Sequence, residues 1–141
     1  MIADKKKAEK IIKKMFEQKI EENNLFLFSG DLGTGKTTLI SSIITELTGE
    51  RYVNSPTYTI VNTYNWEDRE IFHVDLYRLE TIEDILELGI FEDVEQESIF
   101  FVEWPDDFMG FFKQWKHVMI NLDKTDKEDE REIMIDEYSL Y

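Results

Sequence analysis

The stretch LFLFSGDLGTGKTTL, Leu25 to Leu39, decides the fold. Leu25–Ser29 is a short, unbroken apolar run that ends at a glycine, the pattern of a parallel strand buried on both faces. From Thr37 to Leu47 the apolar residues Leu39, Ile40, Ile43, Ile44 and Leu47 recur at helical spacing, and Gly49 stands where a helix C-cap belongs. The glycine-rich segment therefore joins a strand to a helix. Within it Gly30, Gly35, Lys36 and Thr37 satisfy GxxxxGK[ST]. Glycines let a backbone wrap around phosphate oxygens with its N–H groups inward. The following helix N-terminus adds partial positive charge. Residues Asp31, Leu32, Gly33, Thr34, Gly35, Lys36, Thr37 and Thr38 form the expected nucleotide-binding loop. Lys36 is expected to reach the β- and γ-phosphates of ATP or ADP, and Thr37 to ligate Mg²⁺.

Working outward, Lys5 to Ile20 reads as an amphipathic helix, with Ala8, Ile12, Met15 and Phe16 on one stripe and lysines around it. Thr57–Tyr64 and Glu70–Tyr77 are rich in strand formers and predict an antiparallel hairpin joined by NWEDR. Thr81 can cap a helix to about Leu88, with Asp84 at its third position and Gly89 as a stop. Ser98–Val102 is another buried-strand candidate. HVMINL and REIMID read as two strands around the charged turn DKTDKEDE. Strands alternating with helices, plus hairpins, predict an α/β, three-layer fold of the P-loop NTPase kind, with a mixed, largely parallel sheet and added antiparallel hairpins. No repeat or linker interrupts the 141 residues, so one domain is expected over 1–141.

Composition narrows the function. The chain has no Cys, which removes disulfides, thiolate zinc sites and Cys nucleophiles. No apolar run approaches the ~20 residues of a membrane span, and the segment MIADKKKAEK lacks the apolar core of a signal peptide. A cytoplasmic protein is expected. The net charge of −15 repels phosphate backbones and suits a basic protein partner, so stable nucleic-acid binding by the chain alone is not expected.

Two acids are placed to serve the loop. Glu103 follows Ile99-Phe100-Phe101-Val102, the apolar-strand-then-acid pattern of a Walker B element, whose acid falls at the sheet's C-terminal edge. Asp75 ends His73-Val74-Asp75, and strand alternation puts His73 on the same face. Lys36, Asp75 and Glu103 are the candidate catalytic residues; Thr37, Asp75 and Glu103 are the candidate metal set. Ser55-Pro56-Thr57 is a rigid polar turn whose Thr57 can sense a γ-phosphate in a switch segment. Trp104 covers the sheet edge or presents an aromatic face to the nucleotide.

Taken together, Gly30–Thr38, Val53-Asn54-Ser55-Pro56-Thr57-Tyr58, His73-Val74-Asp75-Leu76-Tyr77-Arg78-Leu79 and Glu103-Trp104-Pro105 resemble, in order and spacing, the TsaE family of bacterial tRNA threonylcarbamoyladenosine biosynthesis. The resemblance runs from about Leu25 to Pro105. It implies a small Mg-dependent ATPase that serves a TsaB–TsaD protein complex, which transfers the threonylcarbamoyl group to the adenosine beside the anticodon. It also implies that Lys36 holds phosphates, Thr37 ligates Mg²⁺, Asp75 helps position Mg²⁺, and Glu103 supports Mg²⁺ and the attacking water. Thr57 would belong to the switch loop, and Trp104 would line the nucleotide or partner surface. Tyr58 stands where the family usually has Phe, and the N-terminal helix lacks a Thr-x-x-Leu-Gly pattern. Two other activities fit such a loop: a small-molecule kinase, or a nucleotide-sensing module with negligible turnover. Kinases clamp the transferred group with clustered arginines, whereas Arg51, Arg69, Arg78 and Arg131 are scattered here. Glu103 argues against the sensing module.

Overall fold

The computed structural model describes residues 1–50, 60–94 and 96–139. Its elements run β1 (Ile2–Asp4), α1 (Lys5–Lys19), β2 (Leu25–Ser29), α2 (Lys36–Thr48), β3 (Val61–Trp66), β4 (Arg69–Asp75), α3 (Ile82–Glu87), β5 (Ile99–Glu103), α4 (Met109–Phe112), β6 (His117–Lys124) and β7 (Glu130–Tyr138). One seven-stranded sheet has the order β1-β7-β6-β2-β5-β4-β3. Its centre is parallel: β2 pairs with both β5 and β6, and β5 pairs with β4. The flanks are antiparallel, with β3 on β4 at one edge and β7 then β1 beyond β6 at the other.

The parallel centre explains its own composition. All five residues of β2 and all five of β5 are buried, because helices cover both faces. One face meets α1 and α2: Phe26, Phe28, Ile71, Ile99, Phe101, Val118 and Ile120 pack with Ala8, Ile12, Phe16, Ile40 and Ile44. The other meets α3 and α4: Leu25, Leu27, Val74, Phe100 and Val102 pack with Ile85, Phe91 and Phe112. This is the expected three-layer arrangement.

Local signals set the helix ends. The Asp4 side chain accepts from Lys7 N and caps α1. Thr81 and Asp84 form a reciprocal capping box on α3. The hairpin differs from expectation. Strand β3 runs on through Asn65 and Trp66, so NWEDR contributes to both strands, and the chain reverses at Glu67 and Asp68. Glu67 takes a positive φ of 56°, which gives a tight turn the right-handed twist that the strands need. The expected strand residues before Ile60, and the Ser55-Pro56-Thr57 turn, lie outside the described residues.

Phe101 sits at the centre of the first face. It is fully buried, and its ring lies 5.4 Å from Phe16, 5.7 Å from Phe26 and 6.3 Å from Phe28, centroid to centroid. Phe101→Ala should cost about 3–5 kcal/mol of unfolding free energy, read as a lower denaturant midpoint.

Candidate functional site

The loop leaves the C-terminal end of β2, whose neighbours β5 and β6 lie on opposite sides, the place where open α/β sheets bind ligands. Gly30 has φ 147°, and a Cβ there would stand 2.3 Å from the Leu122 carbonyl oxygen of β6. Only glycine fits. Gly35, at φ 101°, is the N-cap of α2. Unlike α1 and α3, this helix has no side-chain cap, and its first turn carries no acid. Its leading N–H groups are thus left to an anion.

Lys36 is buried. Its ammonium donates to the carbonyls of Gly30 and Asp31. It also lies 3.7 Å over the ring of Trp104, a cation–π contact. Burial holds its pKa below the ordinary lysine value, and the charges of Glu103, Asp106, Asp75 and Asp31 oppose that fall. Trp104 reaches this position because it adopts left-handed backbone, φ 59°, immediately after β5. Its ring meets Tyr77 at 4.9 Å.

Strand parity brings the acids together. Ile71, His73 and Asp75 face the same side as Ile99, Phe101 and Glu103, and the register sets His73 beside Phe101 and Asp75 beside Glu103. That side carries α2. The Thr37 hydroxyl donates to Glu103 Oε1 at 2.6 Å. His73 Nε2–H donates to Glu103 Oε2 at 2.7 Å. His73 is 0% exposed and Glu103 2%, and among the described residues His73 Nδ1 has no partner. Asp75 is buried too, and its Oδ1 accepts from Tyr77 N at 3.0 Å. A hydroxyl from α2 and two carboxylates from the C-terminal ends of β4 and β5 are hard oxygen donors, a set that suits Mg²⁺.

Among the described residues, two cavities are each walled by several residues of the loop. One of about 290 Å³ is lined by Leu32 to Thr38 with Asp75, Tyr77, Glu103 and Trp104. It thus gathers almost every candidate residue. Asp31 is exposed and lines neither cavity, and Thr57 lies outside the described residues. The second, about 350 Å³, lies between the loop and α1, with Lys5, Ala8, Leu39, Leu122 and Arg131 among its walls. It was not anticipated, because its walls come from β6, β7 and the start of α1, three separate parts of the chain. The contact of His73 with Glu103 was missed as well, although alternation had set His73 on the correct face.

A glycine loop between a buried parallel strand and its helix, inside a three-layer mixed sheet, defines a P-loop fold. A crystal structure of Bacillus subtilis YdiB shares it: TM-score 0.67, 23% identity, covering 96% of this chain and 82% of that one. The family model "Threonylcarbamoyl adenosine biosynthesis protein TsaE" matches residues 2–133, and the chain belongs to the TsaE family, of tRNA threonylcarbamoyladenosine biosynthesis. The Haemophilus influenzae protein of that name is 36% identical over 122 residues, 86% of this chain and 74% of that protein. The Rickettsia felis protein is 36% identical over 107 residues, 75% of this chain but only 62% of its own length.

On the reading of this loop as a phosphate site, Lys36→Ala should weaken Mg-ATP binding by roughly 100-fold, about 3 kcal/mol, because it removes the ammonium that lines the 290 Å³ cavity. Isothermal titration of wild type and variant checks this; equal affinities would remove the phosphate role.

Proposed function

We propose that the protein is a Mg-dependent ATPase, slow alone, that hydrolyses ATP to ADP and phosphate in support of a TsaB–TsaD complex modifying tRNA. The observation that carries this reading is the Glu103 carboxylate, buried and held by Thr37 on one oxygen and His73 on the other. A fixed carboxylate beside a P-loop hydroxyl can orient a water for attack on the terminal phosphate.

In this reading the loop N–H groups and Lys36 hold the phosphates. Thr37 ligates Mg²⁺, and Asp75 holds it directly or through water. Mg²⁺ bound there would neutralise charge developing on the phosphates. Trp104 shields Lys36 from solvent, and the 350 Å³ cavity takes the nucleoside. Thr57 acts in the switch segment. The kinase reading lacks its clamp. None of the described arginines, Arg69, Arg78 and Arg131, lines the phosphate cavity, and Arg69 is turned to the Glu97 carbonyl and the Trp66 ring. The −15 charge favours docking on a basic protein surface. Among the described residues no helix is long and apolar enough to cross a membrane, and the working site of the protein would be the cytoplasm.

The test is phosphate release from Mg-ATP by the chain alone and with its cognate TsaB–TsaD pair. A slow basal rate should rise with the pair and fall at least about 100-fold in Glu103→Ala with binding retained. A rate indifferent to the pair would break the link to that complex, and an unchanged Glu103→Ala would remove Glu103 from the chemistry.

A further inference from the structure

Arg131 is the second residue of β7 and shares its inward face with Ile133 and Ile135. It is only 5% exposed. Its Nε donates to the Thr34 carbonyl at 3.0 Å and its Nη2 to the Gly33 carbonyl at 3.1 Å. From the other side Nη1 donates to the carbonyls of Glu128 and Glu130, at 2.8 and 2.7 Å. Among the described residues no carboxylate lies within ion-pairing distance of it. A buried guanidinium held by neutral carbonyls alone is expensive to desolvate. Its inward neighbours on β7 are plain isoleucines, so the strand's own packing does not require it.

We propose that Arg131 is a positioning residue for the phosphate loop: it pins the Gly33 and Thr34 carbonyls to the back of the loop and so aims the next amide at the phosphate. The inference rests on the reading of this loop as a phosphate site. All peptides of the described chain are trans, and a trans peptide points its N–H opposite its carbonyl. The Thr34 N–H is turned to the Asp31 carbonyl at 3.3 Å. The Gly35 N–H, in the peptide whose carbonyl Arg131 holds, faces away from Arg131. Pinning is needed because Gly33 and Gly35 both sit in the left-handed region, φ 80° and 101°. Glycine tolerates either orientation of the neighbouring peptide at little cost. The same guanidinium sets a positive charge behind the loop, and its bonds to Glu128 and Glu130 tie the β6–β7 turn to the loop. With its donors on backbone carbonyls it does not itself grip a phosphate oxygen.

The experiment compares the full chain with Arg131→Met and Arg131→Lys. It measures thermal midpoint without nucleotide, affinity for Mg-ADP and Mg-ATP by titration, and the Gly35 amide resonance in ¹⁵N-glycine-labelled protein. Arg131→Met should stay folded, bind nucleotide about tenfold or more weakly, and shift the Gly35 resonance; Arg131→Lys should fall between it and wild type. A folded Arg131→Met that binds within about twofold of wild type, with the Gly35 resonance unmoved, overturns the proposal. Should Arg131→Met not fold, Arg131→Lys decides on the same two readouts, since a lysine keeps the charge but loses the two-pronged grip. Failure of the wild-type chain to bind either nucleotide is a different result, and it removes the phosphate reading itself.

Discussion

The Glu103 carboxylate is taken out of water and held on both oxygens, by a threonine hydroxyl from α2 and an imidazole from β4. Three elements must arrive in register for this to happen. Burying a charge without such partners would cost several kcal/mol. The parallel pairing of β4 with β5 and the docking of α2 across them are therefore prerequisites of the site. The aromatic packing of Phe16 from α1 with Phe26, Phe28 and Phe101 of β2 and β5 lies on the same face of the sheet. Stability and site geometry share one face of the sheet.

Much of this was legible in the sequence because the signals were periodic or positional. The apolar runs Leu25–Ser29 and Ser98–Val102 marked strands covered on both sides, and these pair in the parallel centre of the sheet. The Thr81–Asp84 spacing marked a cap that forms as read. Parity placed His73 with Asp75. What parity could not supply was the partner: that Glu103 lies level with Asp75 is a matter of inter-strand register, which one strand's pattern does not contain.

The rest was hidden for identifiable reasons. Strand β1 is three residues, too short for any alternation to show, and it exists through pairing with β7. Helix α4 is a single turn, too short for a helical period to show in the sequence. Arg131 offered a weak signal, a charged residue in phase with Ile133 and Ile135 on a half-buried strand, but its meaning depends on a loop nearly 100 positions away. The cavity beside α1 likewise has no local sequence signature.

The ammonium of Lys36 does not wait bare in its cleft; carbonyls of its own loop and the face of Trp104 already occupy it. On the proposed reading, an arriving phosphate would exchange one set of oxygen partners for another, and affinity would reflect only the difference. The same exchange runs in reverse on departure. On the proposed reading, a leaving nucleotide would not strand a desolvated cation, because the carbonyls of Gly30 and Asp31 could take the ammonium back. The loop thus carries its own oxygen partners for the cation, which on the proposed ATPase reading would serve a protein that empties its site between turnovers.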